Sequence, residues 1–571
     1  MILKKLTLLA TGLLICGSAG AQNIIQNNFY PKDIFRYPLD LPPSTAGSFG
    51  ELRPNHFHSG LDFKTNQRTG YPIYSIMDGF VSRLRIQYGG FGRAVYITHP
   101  NGFTSVYGHL EKFSPEIEAL IRDYQNKRQS YEVDFQLLPL QLPLKKGEVF
   151  AWTGNAGASA GPHLHFELRD SKTEETINPQ LFGLTIPDKV PPTLQAIATY
   201  NFADGAPFSE KTPHMFLAVV GANGQYRLKN NQPIHLSGET GFGLTAYDMN
   251  SVSPNHNGIY SVELKLDGNT IYTFAVERFG FDQTRAINAY LDYPAFLTSR
   301  RWMQKCFVPP GSNISLYPQS VNRGIINFDD DNMHEVQYVV KDVAGNTSTL
   351  TVNVKSSKNQ VKPFVPKGPL FQYDKTNEFN NDKVKVIIEP GNLYDNLDFN
   401  YARLPRKPGA YSETHRIHNR FMPIHSSFSL WIKPDSTIGQ NADKAVLINT
   451  AGNMAIGKFE DGYVKGQCRF FGDYYIKVDT VPPVITPVNI REGSNLSAAK
   501  SINLRMSDNL SGVKSYTGKI DGKWVLVEHD YKTKLLRYYF DKDIKPGKHT
   551  FELTVTDAKD NASQFRANFY R

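Results

Sequence analysis

The chain has 571 residues, long enough for roughly three or four domains that each bury a core of their own. Hydrophobic residues make up 40% and charged residues 20%, as in folded soluble proteins, and the abundant Tyr, Phe, Gly and Pro favour strands and turns over long helices. The formal net charge of +9 is spread along the chain without a dense basic run, which argues against nucleic acid as a partner.

The first 21 residues have the pattern of a secretory signal peptide. Two lysines precede an apolar run at residues 6–16, and small residues at positions 19–21 form a cleavage site. The run is too short to span a bilayer comfortably, and no later segment offers about 20 uninterrupted apolar residues. We therefore expect an exported protein of the periplasm, cell envelope or extracellular space, with no transmembrane span in the mature chain. Lipid modification of Cys16 is a competing interpretation, which the bulky Ile15 before it disfavours.

Removal of the signal peptide would also remove Lys4 and Lys5 and lower the net charge from +9 to +7. This mild basic excess suits an anionic polymer of the cell envelope, although it is equally compatible with a simple role in surface solubility.

Two stretches near residue 100 predict a β-hairpin. Residues 95–99 and 103–107 are rich in β-branched and aromatic side chains, and they flank Asn101-Gly102, a dipeptide favoured in tight hairpin turns. The sequence therefore predicts an antiparallel sheet at the core of a first domain.

One helical segment follows the hairpin. Apolar residues recur at helical spacing, at Ile117, Leu120, Ile121 and Tyr124. Residues 114–116, Ser-Pro-Glu, predict an N-cap followed by a proline in the first turn. We interpret this helix as an insertion on the sheet.

A strand predicted at residues 163–168 places two histidines on one face. Because side chains alternate along a strand, His163 and His165 face one side, whereas Leu164, Phe166 and Leu168 face the other, buried side. Taken alone, this pattern also fits two histidines that are satisfied within an ordinary strand.

Three short segments, in chain order, supply donors for a metal site. They are His58-Ser59-Gly60-Leu61-Asp62, Tyr107-Gly108-His109-Leu110 and Gly161-Pro162-His163-Leu164-His165-Phe166-Glu167. A catalytic zinc requires three protein ligands and one open position for water. His58, Asp62 and one of His163 and His165 supply that number. The other histidine and His109 would then lie beside the water, where a neutral imidazole can accept its proton.

These segments resemble the motifs of the lysostaphin-type zinc metallopeptidases, which are peptidoglycan endopeptidases. The resemblance covers the first domain only and extends to Asp78-Gly79, Asn101-Gly102, Lys146-Gly147 and Thr153-Gly154. It implies that one Zn²⁺ is held by His58, Asp62 and His165, and that His109 and His163 are the catalytic histidines. It also implies hydrolysis of peptide cross-links in bacterial peptidoglycan, between stem peptides or in cross-bridges.

The helical insertion near residues 111–135 departs from the family pattern at a position where family members build a wall of the substrate groove. Substrate preference is therefore left open. Glu167 follows the histidine pair on the same face, where it either supports a ligand or closes the strand at the surface.

The remaining histidines and cysteines have ordinary interpretations. We interpret His56 as a surface residue and His99 as structural. His415, His418 and His425 form a second cluster without a carboxylate or cysteine pattern, so no second metal site is predicted. Cys306 and Cys468, the two cysteines of the mature chain, fall in different predicted domains, so no disulfide framework is implied.

Two blocks beyond residue 187 repeat one another. Residues 188–192, Asp-Lys-Val-Pro-Pro, are echoed by residues 479–483, and residues 338–346 are echoed by residues 553–561. Short alternating strands with Asp-Gly and Gly-Asn turns predict β-sandwiches that resemble bacterial immunoglobulin-like modules. The first copy is longer, so an insertion is predicted around residues 279–328.

The predicted fold class is therefore mostly β: an antiparallel-sheet zinc peptidase domain with a helical insertion, followed by immunoglobulin-like β-sandwich domains. The predicted segments are a signal peptide (1–21), an N-terminal linker (22–46), the zinc metallopeptidase domain (47–187), a β-sandwich with an insertion (188–356), a β-rich domain (357–478) and a second β-sandwich (479–571).

Two other functions compete with peptidoglycan hydrolysis. One is a catalytically silent envelope protein that binds cell wall or regulates another wall hydrolase; such relatives lose ligands or catalytic histidines, whereas this sequence keeps all of them. The other is a binding protein whose β modules dock to cell wall or to an envelope protein, although the modules can equally be spacers.

Overall fold

The computed structural model describes residues 29–208, 215–358, 362–452, 454–530 and 532–571. The predicted signal peptide lies outside these residues. Strands dominate the described chain and helices are few and short, as the predicted fold class requires. Among the described residues, no helix has the length and apolar character needed to cross a membrane.

One antiparallel sheet of the first domain carries the residues singled out in the sequence. Its main strands are β1 (Leu61–Lys64), β2 (Gly79–Ile86), β3 (Arg93–Thr98), β4 (Phe103–Gly108) and β5 (His163–Asp170). Their spatial order is β1-β5-β4-β3-β2, so β5 lies between β1 and β4. Shorter strands of this domain are Thr45–Gly47, Leu52–Arg53, His56–Phe57, Pro72–Tyr74, Lys112–Phe113, Val133–Gln136, Pro143–Leu144, Val149–Trp152 and Thr176–Ile177.

The predicted hairpin is formed by β3 and β4, which pair antiparallel up to Thr98 and Thr104. Gly102 in the connecting turn has φ +86°. This backbone region is strained for most side chains and open to glycine, which explains why the Asn-Gly dipeptide marks the turn.

The predicted helix is α1, Pro115–Arg128, and its proline lies in the first turn. Ile117 and Ile121 are buried, and the ring of Tyr124 stacks on Phe135 with the centroids 3.8 Å apart. The predicted cap differs, because the Ser114 side chain makes no capping hydrogen bond; its backbone carbonyl instead accepts from the amide of Glu118 at 2.9 Å.

The second domain is a β-sandwich joined to the first. Its strands are Thr193–Asn201, Met215–Ala222, Gln225–Leu228, Ile234–Leu236, Gly238–Tyr247, Ser261–Leu266, Asn269–Ala275, Arg278–Phe279, Gln304–Lys305, Gln319–Ser320, Ile326–Phe328, Met333–Lys341 and Thr347–Ser356. The predicted insertion contains short helices at Thr284–Ala286, Ile287–Tyr290, Tyr293–Ser299 and Val321–Gly324. A further short helix, Pro179–Phe182, ends the first domain.

The first two domains share one hydrophobic core. The strand Thr176–Ile177 pairs with Arg278–Phe279 across the predicted border, and a single cluster of buried apolar residues extends through both domains. The predicted N-terminal linker differs from expectation, because Tyr30, Phe35 and Leu39 are buried in this same cluster. The aromatic side chains of this segment are the feature of the sequence that indicates packing against a core.

The third domain places two five-stranded sheets and one two-stranded sheet around a core of its own, and the fourth domain places two sheets around another core. Strands of the third are Leu370–Phe371, Asn377–Asn380, Val384–Ile388, Leu397–Asp398, Tyr401–Leu404, Thr414–Ile417, Phe428–Ile432, Ala445–Asn449, Met454–Ala455, Lys458–Glu460, Tyr463–Cys468 and Gly472–Val478, with a short helix at Ser436–Lys444. Strands of the fourth are Val484–Pro487, Ser494–Asn495, Ser501–Ser507, Val513–Ile520, Lys523–Val525, Glu528–Asp530, Leu535–Tyr539, Lys548–Asp557 and Ala562–Tyr570.

Candidate metal centre

Strand β5 brings the predicted ligands together. His165 lies opposite Asp62 on β1 and opposite Gly108 on β4, so its ring meets the carboxylate on a neighbouring strand. His58 lies in the loop just before β1. The predicted alternation also holds on the other face, where Leu164, Phe166 and Leu168 are fully buried.

Three donor atoms converge at this point. His58 Nε2 lies 3.1 Å and His165 Nδ1 lies 2.9 Å from Asp62 Oδ1, and the two ring nitrogens are 3.1 Å apart. All three residues are buried. Two imidazole nitrogens and one carboxylate oxygen are a donor set that transition metals such as zinc take in catalytic sites.

Each histidine of this group is held by its other ring nitrogen. His58 Nδ1 donates to the Ser48 carbonyl at 2.7 Å, and His165 Nε2 donates to Glu167 Oε1 at 2.9 Å. Such contacts fix the tautomer and orientation of metal-binding imidazoles. Glu167 is completely buried, so its interpretation as a surface residue is wrong, and it supports His165 instead.

Charge is distributed unevenly over the group. Burial lowers the pKa of His58 to about 4, against the attraction of Asp62. Burial also opposes a charge on His165, but its hydrogen bonds to Asp62 and Glu167 outweigh that effect and raise its pKa to about 9. Asp62 stays ionised, since the surrounding histidines overcome its desolvation and hold its pKa well below the usual value.

His109 and His163 flank this group, with their ring centroids 4.7 Å apart. His109 Nδ1 donates to the Ala156 carbonyl at 2.8 Å, and His163 Nδ1 donates to the Gly161 carbonyl at 2.8 Å. A carbonyl can only accept, so the Nε2 atom of a neutral His109 ring keeps its lone pair. His163 Nε2 lies 3.4 Å from Asp62 Oδ1. His109 has φ +63°, a strained value for a residue with a side chain and one found at functional sites.

All five residues predicted for the site are therefore close together, and their separate roles stay a prediction. Burial, followed by the charges of His165 and His163, lowers the pKa of His109 to about 3. A group with this pKa is uncharged at neutral pH.

Two residues outside the three motifs also contact the site. Arg53 Nη2 donates to Asp62 Oδ2 at 2.5 Å, and the Phe91 ring stacks on His165 with centroids 4.9 Å apart. Arg53 lies close before the first motif and could have been considered for that reason, whereas nothing in the sequence marks Phe91.

The structure places His56 and His99 as interpreted. His56 is exposed, and His99 is buried between the Asp78 carbonyl and the Ser105 hydroxyl. His415 and His425 each contact a separate tyrosine hydroxyl at 3.0 Å.

The fourth domain lies beside the candidate site. A cavity of about 410 Å³ is lined by Tyr88, Ala156 and part of the helical insertion on one side, and by Glu528 and Lys532 on the other. Lys532 Nζ donates to the Asn155 carbonyl and side chain at 2.5 and 2.8 Å. One of its lining residues, Ala156, is the residue whose carbonyl holds His109.

A family model matches the part of the chain that carries the first two histidine motifs. Residues 56–123 match the model described as peptidase family M23, which confirms the resemblance seen in the sequence for the first domain. Residues 368–479 match the model of a Zu5-like domain.

Curated relatives match the same part of the chain. An uncharacterised metalloprotease of Haemophilus influenzae is 33% identical over 146 residues, which are 24% of this chain and 25% of the relative. The DD-carboxypeptidase/endopeptidase Mpg of Neisseria meningitidis is 31% identical over 131 residues, 23% of this chain and 24% of the relative. The peptidoglycan DD-endopeptidase ShyA of Vibrio cholerae is 28% identical over 139 residues, 23% and 26% of the two chains. The match thus spans about a quarter of each relative.

Proposed function

We propose, from the premise that the first domain belongs to peptidase family M23, that this chain is a zinc-dependent endopeptidase that hydrolyses peptide cross-links of bacterial peptidoglycan. The observation that carries the proposal is the convergence of His58 Nε2, Asp62 Oδ1 and His165 Nδ1 within 3.1 Å of one another. His109 and His163 stand beside these atoms.

The donor set fits one zinc ion. His58, Asp62 and His165 would hold it, and the contacts of the two rings with the Ser48 carbonyl and Glu167 already orient the ligand nitrogens. A zinc ion there would supply Lewis acidity to the attacking water and to the scissile carbonyl.

The neighbouring histidines would handle the proton. His109 is neutral at physiological pH, and its Nδ1 is engaged by the Ala156 carbonyl, so Nε2 is the atom able to take a proton from water. His163, tied in the same way to the Gly161 carbonyl, would help to position the water and to stabilise the developing oxyanion.

The substrate class rests on the relatives. Two of them bear names of enzymes that act as DD-endopeptidases, and one of these names specifies peptidoglycan. The mild basic excess of the mature sequence suits an anionic wall polymer. We further propose that the chain acts outside the cytoplasm, on the basis of the apolar run at residues 6–16, and that its β modules contact the cell wall or an envelope protein.

The first experiment is digestion of purified sacculi by the zinc-loaded protein, with newly freed peptide termini identified by mass spectrometry. We expect release by the natural protein and a loss of at least about 100-fold after His163→Ala, because general acid–base groups contribute about 10²- to 10⁴-fold. His56→Ala is the matched control, since His56 is exposed and lies two residues from a ligand. No release by the natural protein, or equal release by His163→Ala, would contradict the proposal.

A further inference from the structure

Three aspartates meet in the second domain, apart from the histidine group. Asp188 opens the domain, Asp248 follows the strand Gly238–Tyr247, and Asp342 follows the strand Met333–Lys341. One carboxylate oxygen of each lies within 4.8 Å of the other two. Burial and the neighbouring Asp342 and Asp188 raise the pKa of Asp248 to about 8, and burial raises that of Asp342 to about 6. The carboxylates thus repel one another.

Several oxygen atoms around these aspartates are buried without a hydrogen-bond partner. They are Asp248 Oδ1, Asn250 Oδ1 and Asn257 Oδ1, on residues that are 5%, 8% and 5% exposed. Asn250 Nδ2 donates to Thr45 Oγ1 at 3.0 Å, which fixes the amide with its oxygen free. Buried oxygens without a donor cost free energy, so three of them in one place indicate a ligand that carries positive charge.

These oxygens surround a small space. Asp188, Asp248, Asn250 and Asn257 line one cavity of about 30 Å³. A space of this size accommodates an ion or a water molecule and excludes an organic ligand.

We propose that this cavity is a calcium site, with Asp188, Asp248 and Asp342 as carboxylate ligands and the side-chain oxygens of Asn250 and Asn257 as neutral ligands. A donor set made only of oxygen selects a hard cation. Calcium accepts six to eight oxygens in flexible geometry, whereas magnesium retains several water molecules, for which the cavity has no room. The site thereby differs in chemistry from the nitrogen-rich histidine group.

The site would connect the first two domains. Ser48 and Asn178 of the first domain also line the cavity, and Ser48 Oγ accepts from the Gly258 amide at 2.9 Å. Ser48 is the same residue whose carbonyl holds His58. A cation here would therefore stabilise the junction that orients one of the candidate metal ligands.

The fourth domain carries a similar group of aspartates, but the proposal concerns the second domain alone. Asp479, Asp508 and Asp557 form a matching group, but Leu510 and Ser511 occupy the sequence positions that correspond to Asn250 and Asn257 in the first copy. The group in the fourth domain therefore lacks the two amide oxygens of the proposed ligand set.

The test is calcium binding by the full chain, measured independently of peptidase activity. Addition of CaCl₂ to the natural protein should raise the melting temperature by about 5 °C at saturation, and the same concentration of MgCl₂ should have a much smaller effect. Terbium, a calcium substitute, should give luminescence excited through Tyr260, which lines the cavity. If calcium leaves the melting temperature unchanged, or magnesium acts equally, the assignment is wrong.

Asp248→Asn should abolish both the calcium-dependent rise and the terbium signal. Without calcium this variant should melt at the same or a higher temperature than the natural protein, because a neutral amide replaces a buried carboxyl whose ionisation burial and the neighbouring aspartates already oppose. Asp374→Asn, at an exposed aspartate of the third domain, is the matched control and should keep both responses. A full calcium response in Asp248→Asn would overturn the proposal. If this variant does not fold, the effect of calcium on the melting temperature of the natural protein decides whether the proposal holds.

Discussion

At the scale of single residues, Glu167 is the link between the candidate metal centre and the sheet. It accepts from His165 Nε2 and Ser59 Oγ on one oxygen and from Arg169 Nε, at 2.7 Å, on the other. Burial disfavours its charge, but Arg169 and His165 lower the pKa of Glu167 to about 2. A fixed, ionised carboxylate therefore lies behind the ring that would bind the metal, and it makes that ring a stronger ligand.

We expect Glu167→Gln to weaken zinc binding by about 10- to 100-fold, because an amide supports the imidazole less strongly than a carboxylate. The measurement is competition for zinc against a chelating dye. Glu116→Gln, at an exposed glutamate of α1, should leave the affinity unchanged. Equal affinities in both variants would show that Glu167 has only a packing role.

At the scale of elements, the short strand His56–Phe57 connects the candidate site to the insertion of the second domain. Phe57 is 1% exposed and packs against Phe279 and Tyr290 with centroids 5.8 and 6.0 Å away. Its amide donates to Thr284 Oγ1 at 2.9 Å. Since His58 is the next residue, packing in the second domain helps to place a candidate ligand.

Phe57→Ala should therefore destabilise the protein by about 3 to 5 kcal/mol, the usual cost of removing a buried phenylalanine, and should lower activity through His58. Urea unfolding followed by tryptophan fluorescence measures the first effect. Phe29→Ala is the control, because Phe29 is 84% exposed and its removal leaves no cavity. A Phe57→Ala protein as stable as this control would exclude a structural role for the contact.

At the scale of the whole molecule, the four domains are not equally independent. The first two share one hydrophobic cluster, whereas the fourth has its own core and meets the first domain through contacts such as those of Lys532 with Asn155 and of His529 with Tyr88. Because the first two domains share a core and the fourth has its own, we can predict which truncated chains still fold.

A chain that ends at residue 187 should not fold stably, since its half of the shared core would be exposed to water. A chain that ends at residue 478 should keep the melting transition of the first two domains. Thermal unfolding and limited proteolysis of both truncated proteins provide the comparison. A cooperative transition of the shorter chain at the temperature of the full protein would contradict this prediction.

The sequence by itself determined the mostly β class, the hairpin, the helix and the five residues of the candidate site. It could do so because strand parity, helical spacing and turn chemistry are local, and because the histidine motifs are short and ordered. Only the tertiary structure decided that residues 30–39 belong to a core, that the first two domains are joined, and that Arg53 and Phe91 contact the site. These features depend on contacts between distant parts of the chain, and such contacts leave no periodic trace in the sequence. The burial of Glu167 was also decided by the tertiary structure. Strand parity gives the face on which this side chain lies, but it does not say whether neighbouring segments cover that face.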